Sequence, residues 1–386
     1  MTKTNIEWAQ HVWNPIAGCS IVSPGCTNCY AMKMAYRIEM ANAEAAAKYL
    51  PERSPHYNGT TKRVNGNAVW TGHVVRSEKA LGIPLRRKVP TTWFVNSMSD
   101  LFHESVPDEW IDQVFAVMAL TPQHTYQILT KRSARMRAYM NGIPSKIPFL
   151  GRMPLERTHL EAAGHMEGDG GYMDALKKAG NVYSLYLDAP WPLPNVWLGV
   201  STERQKEADE RIPDLLAAPA AVRFISAEPL LGPIDLKRWM PTGKWGKAPI
   251  TGAPVYHQTY FMTKCGHCGW LGSSELAHEI SYGDDADVAC PQCNEIFNCD
   301  DFGDGRGLHW VIVGGENGPR PMHPDHARSL RDQCAAANVA FFLKQWGTNI
   351  PDEEREGRYR RVPKSVAGRL LDGREHNGFP GGQHAG

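Results

Sequence analysis

The sequence lacks an excess of charge of either sign. Its 42 lysines and arginines nearly balance its 41 aspartates and glutamates, and the formal net charge of the 386 residues is +1. Proteins held to nucleic acid or to anionic membranes by bulk charge are strongly basic, so the composition does not indicate that class. Because 42% of the residues are apolar, the chain can build a sizeable core in one large domain or two ordinary ones.

Long apolar runs are also missing. None approaches the ~20 residues needed to cross a bilayer, and the opening MTKTNIEWAQ has no apolar stretch like that of a secretory signal. We therefore expect a cytoplasmic protein without a membrane partner. In that reducing compartment, clustered cysteines indicate metal binding or redox chemistry rather than structural disulfides.

Cysteine is scarce, and most of its nine copies fall into two groups. The second group consists of two C-x2-C pairs, Cys265 with Cys268 and Cys290 with Cys293, separated by 21 residues. Each pair can turn two thiolates toward one ion, and two pairs complete a tetrahedron around zinc. Because four thiolates leave zinc no open position, this pattern predicts a structural zinc ribbon.

The first group has three cysteines, Cys19, Cys26 and Cys29. Three thiolates can hold three irons of a 4Fe-4S cluster and leave the fourth iron open to a substrate or cofactor. Alternatively, Cys299 or Cys334 completes an ordinary zinc or cluster site with them. A redox pair made by the C-x2-C alone is a third interpretation, but it leaves the first cysteine unexplained.

Short apolar runs rich in β-branched and aromatic residues recur along the chain. Continuous runs of this kind are typical of parallel strands that are buried on both faces. The predicted strands lie within residues 91–100, 124–132, 195–203, 221–229, 308–318 and 339–347, with a seventh near HVWNPIAG. The predicted helices cover residues 107–120, 203–218 and 325–338. This alternation indicates a βα-barrel or a doubly wound sheet.

Each of the six runs ends in polar residues on its C-terminal side. These are Asn96-Ser97, Thr130-Lys131, Ser201-Thr202, Ser226 with Glu228, Gly314-Gly315-Glu316 and Lys344-Gln345. Barrel active sites are built where the C-terminal ends of the strands converge. The alternative, that polar residues merely end buried strands, explains one or two cases better than six. We therefore predict an α/β fold with a complete or partial TIM-like (β/α) barrel.

The interruptions of this pattern suggest the domain organisation. The predicted barrel core comprises residues 1–237 and 308–351, with the three-cysteine loop at residues 18–31. Residues 141–190 form a first insertion, and residues 238–307 form a second that carries the zinc ribbon. We expect residues 352–386 to form a polar C-terminal tail whose last few residues are mobile.

Eight stretches of the chain resemble a phage-associated family of unknown function that has a three-cysteine motif and is similar to radical SAM enzymes. They are IEWAQHVWNPIAGCSIVSPGCTNCYA, FVNSMSDLFHESVPDEWI, QILTKR, PLPNVWLGVSTERQKEADERIPDLL, RFISAEPLLGPIDL, WVIVGGENGPRPMHPDHARSLRDQC, FFLKQWG and LLDGREHNGFP. Together they span most of the chain.

The resemblance implies a barrel of the radical SAM type, in which Cys19, Cys26 and Cys29 ligate a 4Fe-4S cluster. S-adenosyl-L-methionine would bind the open iron, and one electron from an external donor would cleave it to a 5′-deoxyadenosyl radical that attacks a substrate. Radical SAM enzymes usually have the spacing C-x3-C-x2-C, whereas this chain has C-x6-C-x2-C. The substrate is unknown; because zinc ribbons often serve nucleic-acid proteins, we name nucleic acid as the candidate class.

The resemblance also implies cofactor contacts at the strand ends. The methionine end of the cofactor would be held by Asn96, Ser97 and Asp100, and the ribose by Ser201. Residues Gly314, Gly315 and Glu316 would line the adenine pocket, or else form a tight turn with a capping acid.

Other residues at the strand ends have open roles. We expect Glu228 to meet a cation, a hydroxyl or solvent, because an unpaired carboxylate is costly in a core. Lys131 and Lys344 are candidate binders of carboxylate or phosphate. The remaining candidates are His103 and His323, which can equally be surface histidines, and Trp13 and Trp346, which can equally be core aromatics.

Two function classes therefore stay open. The first is a radical enzyme that uses an iron–sulfur cluster and S-adenosyl-L-methionine. The second is a non-catalytic binding protein on a barrel scaffold, in which zinc fills both cysteine groups and stabilises the fold.

Overall fold

The computed structural model describes residue 4 and residues 6–142, 192–240, 246–247, 254–255, 262–265, 267–268, 271–273, 278–279, 287–298, 307–352, 355 and 357–380. The chain divides into two compact units, Met1–Ala189 and Pro190–Gly386. Nearly all of the predicted insertion at 141–190, and Cys299, lie outside the described residues.

The first unit has seven described strands and four described helices. The strands are β1 (His11–Trp13), β2 (Ile16–Ala17), β3 (Thr61–Val64), β4 (Asn67–Trp70), β5 (Val75–Arg76), β6 (Thr92–Val95) and β7 (Thr125–Thr130). The helices are α1 (Tyr30–Ala47), α2 (Glu78–Leu81), α3 (Asp108–Ala119) and α4 (Ser133–Gly142). Short 3-10 turns cover Pro24–Cys26, Pro55–Tyr57 and Pro84–Arg86.

Three parallel strands organise this unit. β1 pairs with β6, and β6 pairs with β7, in register from Thr92 opposite Thr125 to Val95 opposite Ile128. All three strands are short and mostly buried, and α3 connects β6 to β7 as a parallel crossover requires. The C-terminal ends of β1, β6 and β7 therefore lie at one edge of the sheet, where the three-cysteine loop begins.

Antiparallel segments brace the first unit beside this sheet. β2 pairs with β5, and β3 pairs with β4 through a two-residue Asn65-Gly66 turn. Both turn residues have positive φ, of 47° and 80°, as a hairpin turn of the Asn-Gly type requires. Tyr57 and Trp70 from this region join Met32 of α1 in one buried cluster.

The second unit has more strands, many of them very short. The strands are β8 (Val196–Ser201), β9 (Val222–Ala227), β10 (Gly246–Lys247), β11 (Pro254–Val255), β12 (Met262–Lys264), β13 (Leu271–Ser273), β14 (His278–Glu279), β15 (Asp287–Ala289), β16 (Ile296–Asn298), β17 (Trp310–Gly314), β18 (Ala340–Gln345), β19 (Asn349–Pro351), β20 (Tyr359–Arg361), β21 (Leu370–Leu371) and β22 (Arg374–Glu375). The described helices are α5 (Gln205–Ala217), α6 (Pro324–Ala336) and α7 (Lys364–Ala367), with a 3-10 turn at Lys237–Trp239.

Four parallel strands form the core of the second unit, in the order β8-β9-β17-β18. β9 lies between β8 and β17, and Ser226 is opposite Ser201 on one side and Ile312 on the other. Glycine is needed at position 199, because the ring of Phe224 occupies the space that a Cβ atom would take. The sheet face that carries Phe224 also carries Trp310, with ring centroids 5.7 Å apart.

The C-terminal segment packs against this sheet. The backbone N–H of Leu343 donates to the carbonyl of His376, and that of Gly378 donates to the carbonyl of Phe341, so the segment runs along β18. The ring of Phe379 lies 4.5 Å from that of Trp310, measured between centroids. Much of the predicted polar tail therefore contributes short elements and core contacts.

The structure confirms the α/β class and the positions of the predicted strands and helices. Among the described residues, seven strands are parallel, three in the first unit and four in the second. This arrangement is compatible with a partial βα-barrel. None of the described helices combines the length and apolar character that a bilayer crossing requires.

Candidate functional site

The three-cysteine loop begins just after β2 with a tight backbone approach. Gly18 has a φ of +90°, and a Cβ atom added there would clash with the carbonyl oxygen of His73. Gly18 also bridges to Ser99, which follows β6. Glycine is therefore required at the point where the chain turns from β2 into the cysteine loop.

The three cysteines sit in different local structures. Cys26 closes the 3-10 turn and lies beside the hydroxyl of Ser23, with Sγ and Oγ 3.8 Å apart. Cys29 is the residue before α1, and the backbone amides of Met32 and Ala31 face its thiol. Cys19 and Cys29 both pack against the buried cluster that contains Met32. The fold therefore brings the loop cysteines into one neighbourhood.

Arg132 is a cationic neighbour of Cys19. Its Nη1 lies 3.5 Å from Cys19 Sγ and 3.3 Å from Asp100 Oδ2. Its Nη2 donates to Ser20 Oγ at 2.7 Å, and its Nε donates to Glu104 Oε1 at 3.2 Å. The guanidinium is thus held on several sides, although only 7% of the residue is exposed.

Asp100 holds the ends of two strands together. Its Oδ1 accepts hydrogen bonds from Phe102 N at 3.0 Å and from Thr130 Oγ1 at 2.7 Å. Its Oδ2 accepts from Lys131 N at 3.0 Å as well as from Arg132. This buried carboxylate is occupied by protein donors, so its local role is to fix the loop after β7.

The local charges act on the loop thiols in opposite directions. Burial and the neighbouring Asp100 raise the pKa of Cys19 to about 12, while Arg132 lowers it. Burial raises the pKa of Cys29, whereas the amides of Met32 and Ala31 and the ammonium of Lys131 lower it. Protonated thiols are poor ligands, so a metal here would have to displace protons from buried sulfurs.

The other predicted residues near this loop mainly position backbone. Asn96 has a left-handed φ of 55° and donates its backbone N–H to the carbonyl of Trp13 at 2.7 Å. The hydroxyl of Ser97 donates to Asn14 Oδ1 at 3.1 Å. Trp13 is fully buried, and its Nε1 donates to the carbonyl of Ala80. Trp13 is therefore a core residue.

His103 contacts the cysteine loop through Ser20. The backbone N–H of Ser105 donates to His103 Nδ1 at 3.1 Å, so the proton of the neutral ring lies on Nε2. Nε2 is 2.9 Å from Ser20 Oγ. Because Ser20 also accepts from Arg132, the histidine braces the residue that follows Cys19.

In the second unit, Glu228 meets both a cation and a hydroxyl. Lys344 Nζ lies 3.1 Å from Glu228 Oε1, and the hydroxyl of Ser226 donates to Oε2 at 3.1 Å. A Cβ atom on Gly314 would clash with Glu228 Oε1. The structure thus brings together four of the residues predicted at the strand ends, which follow or end β9, β17 and β18.

The remaining predicted residues of this unit have structural partners. Glu316 is buried and accepts from the backbone N–H and the Nε of Arg320, both at 3.0 Å. Gly315 allows the carbonyl of Trp346 to approach closely. The tight turn with a capping acid describes this geometry better than an adenine pocket does.

Three further candidates lie at separate positions in the same unit. The carbonyl of Ser201 accepts from Arg211 at 2.7 Å. His323 caps the N-terminus of α6, where its Nδ1 accepts from Asp325 N. Trp346 donates its Nε1 to the carbonyl of Leu370 at 2.8 Å. His323 and Trp346 thus have structural partners, while the contact of Ser201 is made by its backbone carbonyl and its role at the ribose stays a prediction.

The four cysteines of the second group form a compact cluster. Their sulfur atoms all lie within 4.8 Å of one another, with Cys265 and Cys293 3.7 Å apart and Cys268 and Cys290 3.6 Å apart. Thiolates bound to one tetrahedral zinc at the usual bond length are separated by about 3.8 Å. Although burial raises it, amide hydrogen bonds bring the pKa of Cys265 down to about 7. This cluster can hold a metal ion.

Sulfur spacing separates the two cysteine groups. Within the part of the chain that the structure describes, the four cysteines of the second group converge to within 4.8 Å of one another, and the three loop cysteines form no such group. Cys334, the alternative fourth ligand, is fully buried in α6, and burial raises its pKa to about 12. Its thiol behaves as a core side chain of the second unit.

Arg132 is the residue that the sequence analysis missed. The pattern drew attention to Lys131, its neighbour at the end of β7, because strand ends were read for their first polar residues. The sequence Thr-Lys-Arg does contain a signal, since a second cation follows the strand immediately. Which of the two contacts Cys19 depends on the turn into α4.

No curated protein and no solved structure matches the chain significantly. The family model described as a protein of unknown function (DUF5131) matches residues 3–380, and the chain belongs to that family.

Proposed function

We propose that the protein is an iron–sulfur enzyme similar to radical SAM enzymes, of phage or prophage origin, with Cys19, Cys26 and Cys29 as the cluster ligands. The observation that carries this proposal is the setting of the loop: three thiols after the first parallel strand, beside a buried arginine. Cofactor sites of βα-barrels lie at this end of the strands.

Within the described residues, the lack of a convergent ligand group at the cysteine loop favours a cluster over a single ion. Thiolates that bind one zinc ion must converge, as those of the four-cysteine cluster do. Thiolates of an iron–sulfur cluster each bind a different iron and stand farther apart. Among the described residues, Cys19, Cys26 and Cys29 form no convergent group of ligand atoms of that kind, which is consistent with the second arrangement.

Cationic groups and backbone amides at the loop could compensate the charge of an anionic cluster. Three thiolates on a 4Fe-4S cluster leave a net negative charge, which is costly in a buried site without compensation. Arg132 contacts Cys19, while Lys131 and the first amides of α1 act on Cys29. The chain thus supplies positive charge and N–H dipoles on two sides of the loop.

When bound, such a cluster would supply the electron that cleaves S-adenosyl-L-methionine to a 5′-deoxyadenosyl radical. The chain's own residues would bind the cofactor and exclude water. We retain Asn96 and Ser97 as candidates for its methionine end, because both follow β6 next to the cysteine loop. Asp100 is better assigned to holding Arg132 and the β7 loop.

A second candidate function follows from the four-cysteine cluster. Its sulfur spacing suits zinc, and four thiolates make a closed, structural site. If zinc also filled the first group, the protein would be a non-catalytic, metal-stabilised binding protein. Nucleic acid, which we propose as the substrate class of the enzyme, would then be the partner that this protein binds.

Anaerobic reconstitution distinguishes the two functions. The protein is purified without oxygen, loaded with iron and sulfide, and treated with S-adenosyl-L-methionine and dithionite. We expect a reducible cluster whose EPR signal changes with S-adenosyl-L-methionine, and 5′-deoxyadenosine that disappears in Cys26→Ala. Cys334→Ala, which replaces a buried cysteine outside both groups, should keep both signals. Zinc in both groups and no cluster would reject the enzyme.

A further inference from the structure

Arg132 is the best-anchored charged side chain at the cysteine loop. Its guanidinium donates to an exposed carboxylate, Glu104, and contacts a buried one, Asp100, at 3.2 and 3.3 Å. Its other contacts are Ser20 and the sulfur of Cys19. Few conformations remain open to this side chain, because hydrogen-bond partners lie along both edges of its planar guanidinium.

Residues on both sides of Arg132 hold its guanidinium in this position. On one side, Asp100 binds Thr130 Oγ1 and the backbone N–H of Lys131, which fixes the chain just before Arg132. On the other side, Ser20 accepts from Arg132 and contacts His103. The guanidinium is therefore placed by groups from the ends of β6 and β7 and from the loop itself.

A buried ion pair is a weak source of stability, because removing both charges from water offsets most of their attraction. The geometry nevertheless directs Nη1 of Arg132 at Cys19 Sγ as well as at Asp100 Oδ2. A guanidinium keeps its charge at every pH that proteins tolerate. It is suited to stabilising a thiolate permanently.

We propose that Arg132 is a positioning residue that holds Cys19 as a cluster ligand and raises the reduction potential of the cluster. This inference rests on the proposed iron–sulfur function. In the reduction considered, one electron passes from dithionite to the cluster, and no proton moves and no bond changes. Hydrogen bonds and positive charge at the sulfurs favour the more negative, reduced state.

The test compares anaerobically reconstituted full-length proteins without S-adenosyl-L-methionine. The variants are Arg132→Gln, which removes the charge, and Arg132→Lys, which keeps it without the fork. Arg137→Gln is the matched control, because Arg137 is an exposed arginine on α4, the helix that begins directly after Arg132. Iron and sulfide content and the midpoint potential from an EPR-monitored dithionite titration are measured for each.

We expect Arg132→Gln to shift the oxidised-to-reduced ratio about tenfold toward the oxidised cluster at fixed potential, ~59 mV for one electron. Its iron content should also fall below that of Arg137→Gln. Arg132→Lys should lie between the two. A cluster with the wild-type potential and content in Arg132→Gln would overturn the inference.

Two further outcomes are informative. If Arg132→Gln does not fold, by far-ultraviolet circular dichroism, Arg132→Lys decides: a midpoint equal to that of Arg137→Gln overturns the inference. If wild type and Arg137→Gln both fail to take up a cluster, the proposed function itself fails. The two failures are therefore distinguishable.

Discussion

Lys344 Nζ lies 3.1 Å from Glu228 Oε1, although 116 residues separate the two in the chain. The pair joins the C-terminal ends of β9 and β18 across β17, where Gly314 leaves room for the carboxylate. A predicted strand-end lysine and a predicted strand-end glutamate are thus one ion pair.

Gly314→Ala should destabilise the protein by about 1–3 kcal/mol, because the added methyl group would push against the Glu228 carboxylate. The urea midpoint, followed by tryptophan fluorescence, measures the effect. Gly232→Ala is the matched control, because its Cβ would make only an ordinary contact of 3.7 Å with Arg204. Equal urea midpoints for the two variants would show that the Glu228–Lys344 pair can shift without loss of stability.

The stability of the protein should depend on pH through His309. Burial and the nearby Arg223 lower the pKa of His309 to about 3, whereas an unfolded histidine titrates near pH 6.5. Between these values the unfolded chain binds the extra proton. Stability from this group is therefore complete above pH ~6.5 and is lost on acidification, by at most about 1.4 kcal/mol per pH unit.

His309→Asn should flatten that pH dependence. Asparagine keeps an acceptor for the backbone N–H of Arg223, which His309 Nδ1 accepts at 2.9 Å, but does not titrate. Urea midpoints of wild type and variant at pH 7 and pH 5 are compared. His73→Asn, at an exposed histidine, should retain the wild-type slope; a retained slope in His309→Asn would refute the assignment.

Cys290→Ser should lose the metal held by the four-cysteine cluster. Removing one of the four sulfurs breaks the 3.6 Å contact with Cys268 and leaves an incomplete ligand set. Metal content is measured by mass spectrometry of the purified protein, with Cys334→Ser as the control outside the cluster. A full metal complement in Cys290→Ser would mean that the ion is bound elsewhere.

Phe379→Ala should lower stability by about 2 kcal/mol, because it removes an aromatic ring packed on Trp310. Trp310 fluorescence should also shift toward that of a solvated indole. Val366→Ala, at a residue 65% exposed, should change neither quantity. Unchanged stability and fluorescence in Phe379→Ala would indicate that the C-terminal segment packs only loosely.

Strand positions were readable from the sequence because buried parallel strands are continuous apolar runs. The run VRFISAEP, for example, became β9 with its polar end at Ser226 and Glu228. The sequence predicted that Glu228 would have a partner, since a buried carboxylate requires one. Its identity, Lys344, depends on strand order, which a single sequence does not encode locally.

The roles of polar residues were harder to predict. Asp100 and Glu316 resemble ligand-binding residues by position, yet each contacts an arginine of the chain, Arg132 and Arg320 respectively. Such arginines sit beyond the strand end, where loop geometry decides which group they reach. The C-terminal contacts of Phe379 were not predicted for a different reason: a polar segment with few apolar residues gives no periodic signal.

The contact at Gly18 has a consequence for sequence variation. The carbonyl of His73 occupies the space beside Gly18, and β5, which follows it, pairs with β2 just before the loop. Any relative that replaces this glycine must also move or lose the segment around residues 73–76. We therefore expect the two stretches to vary together among homologous genes, as linked insertions and substitutions rather than as independent changes.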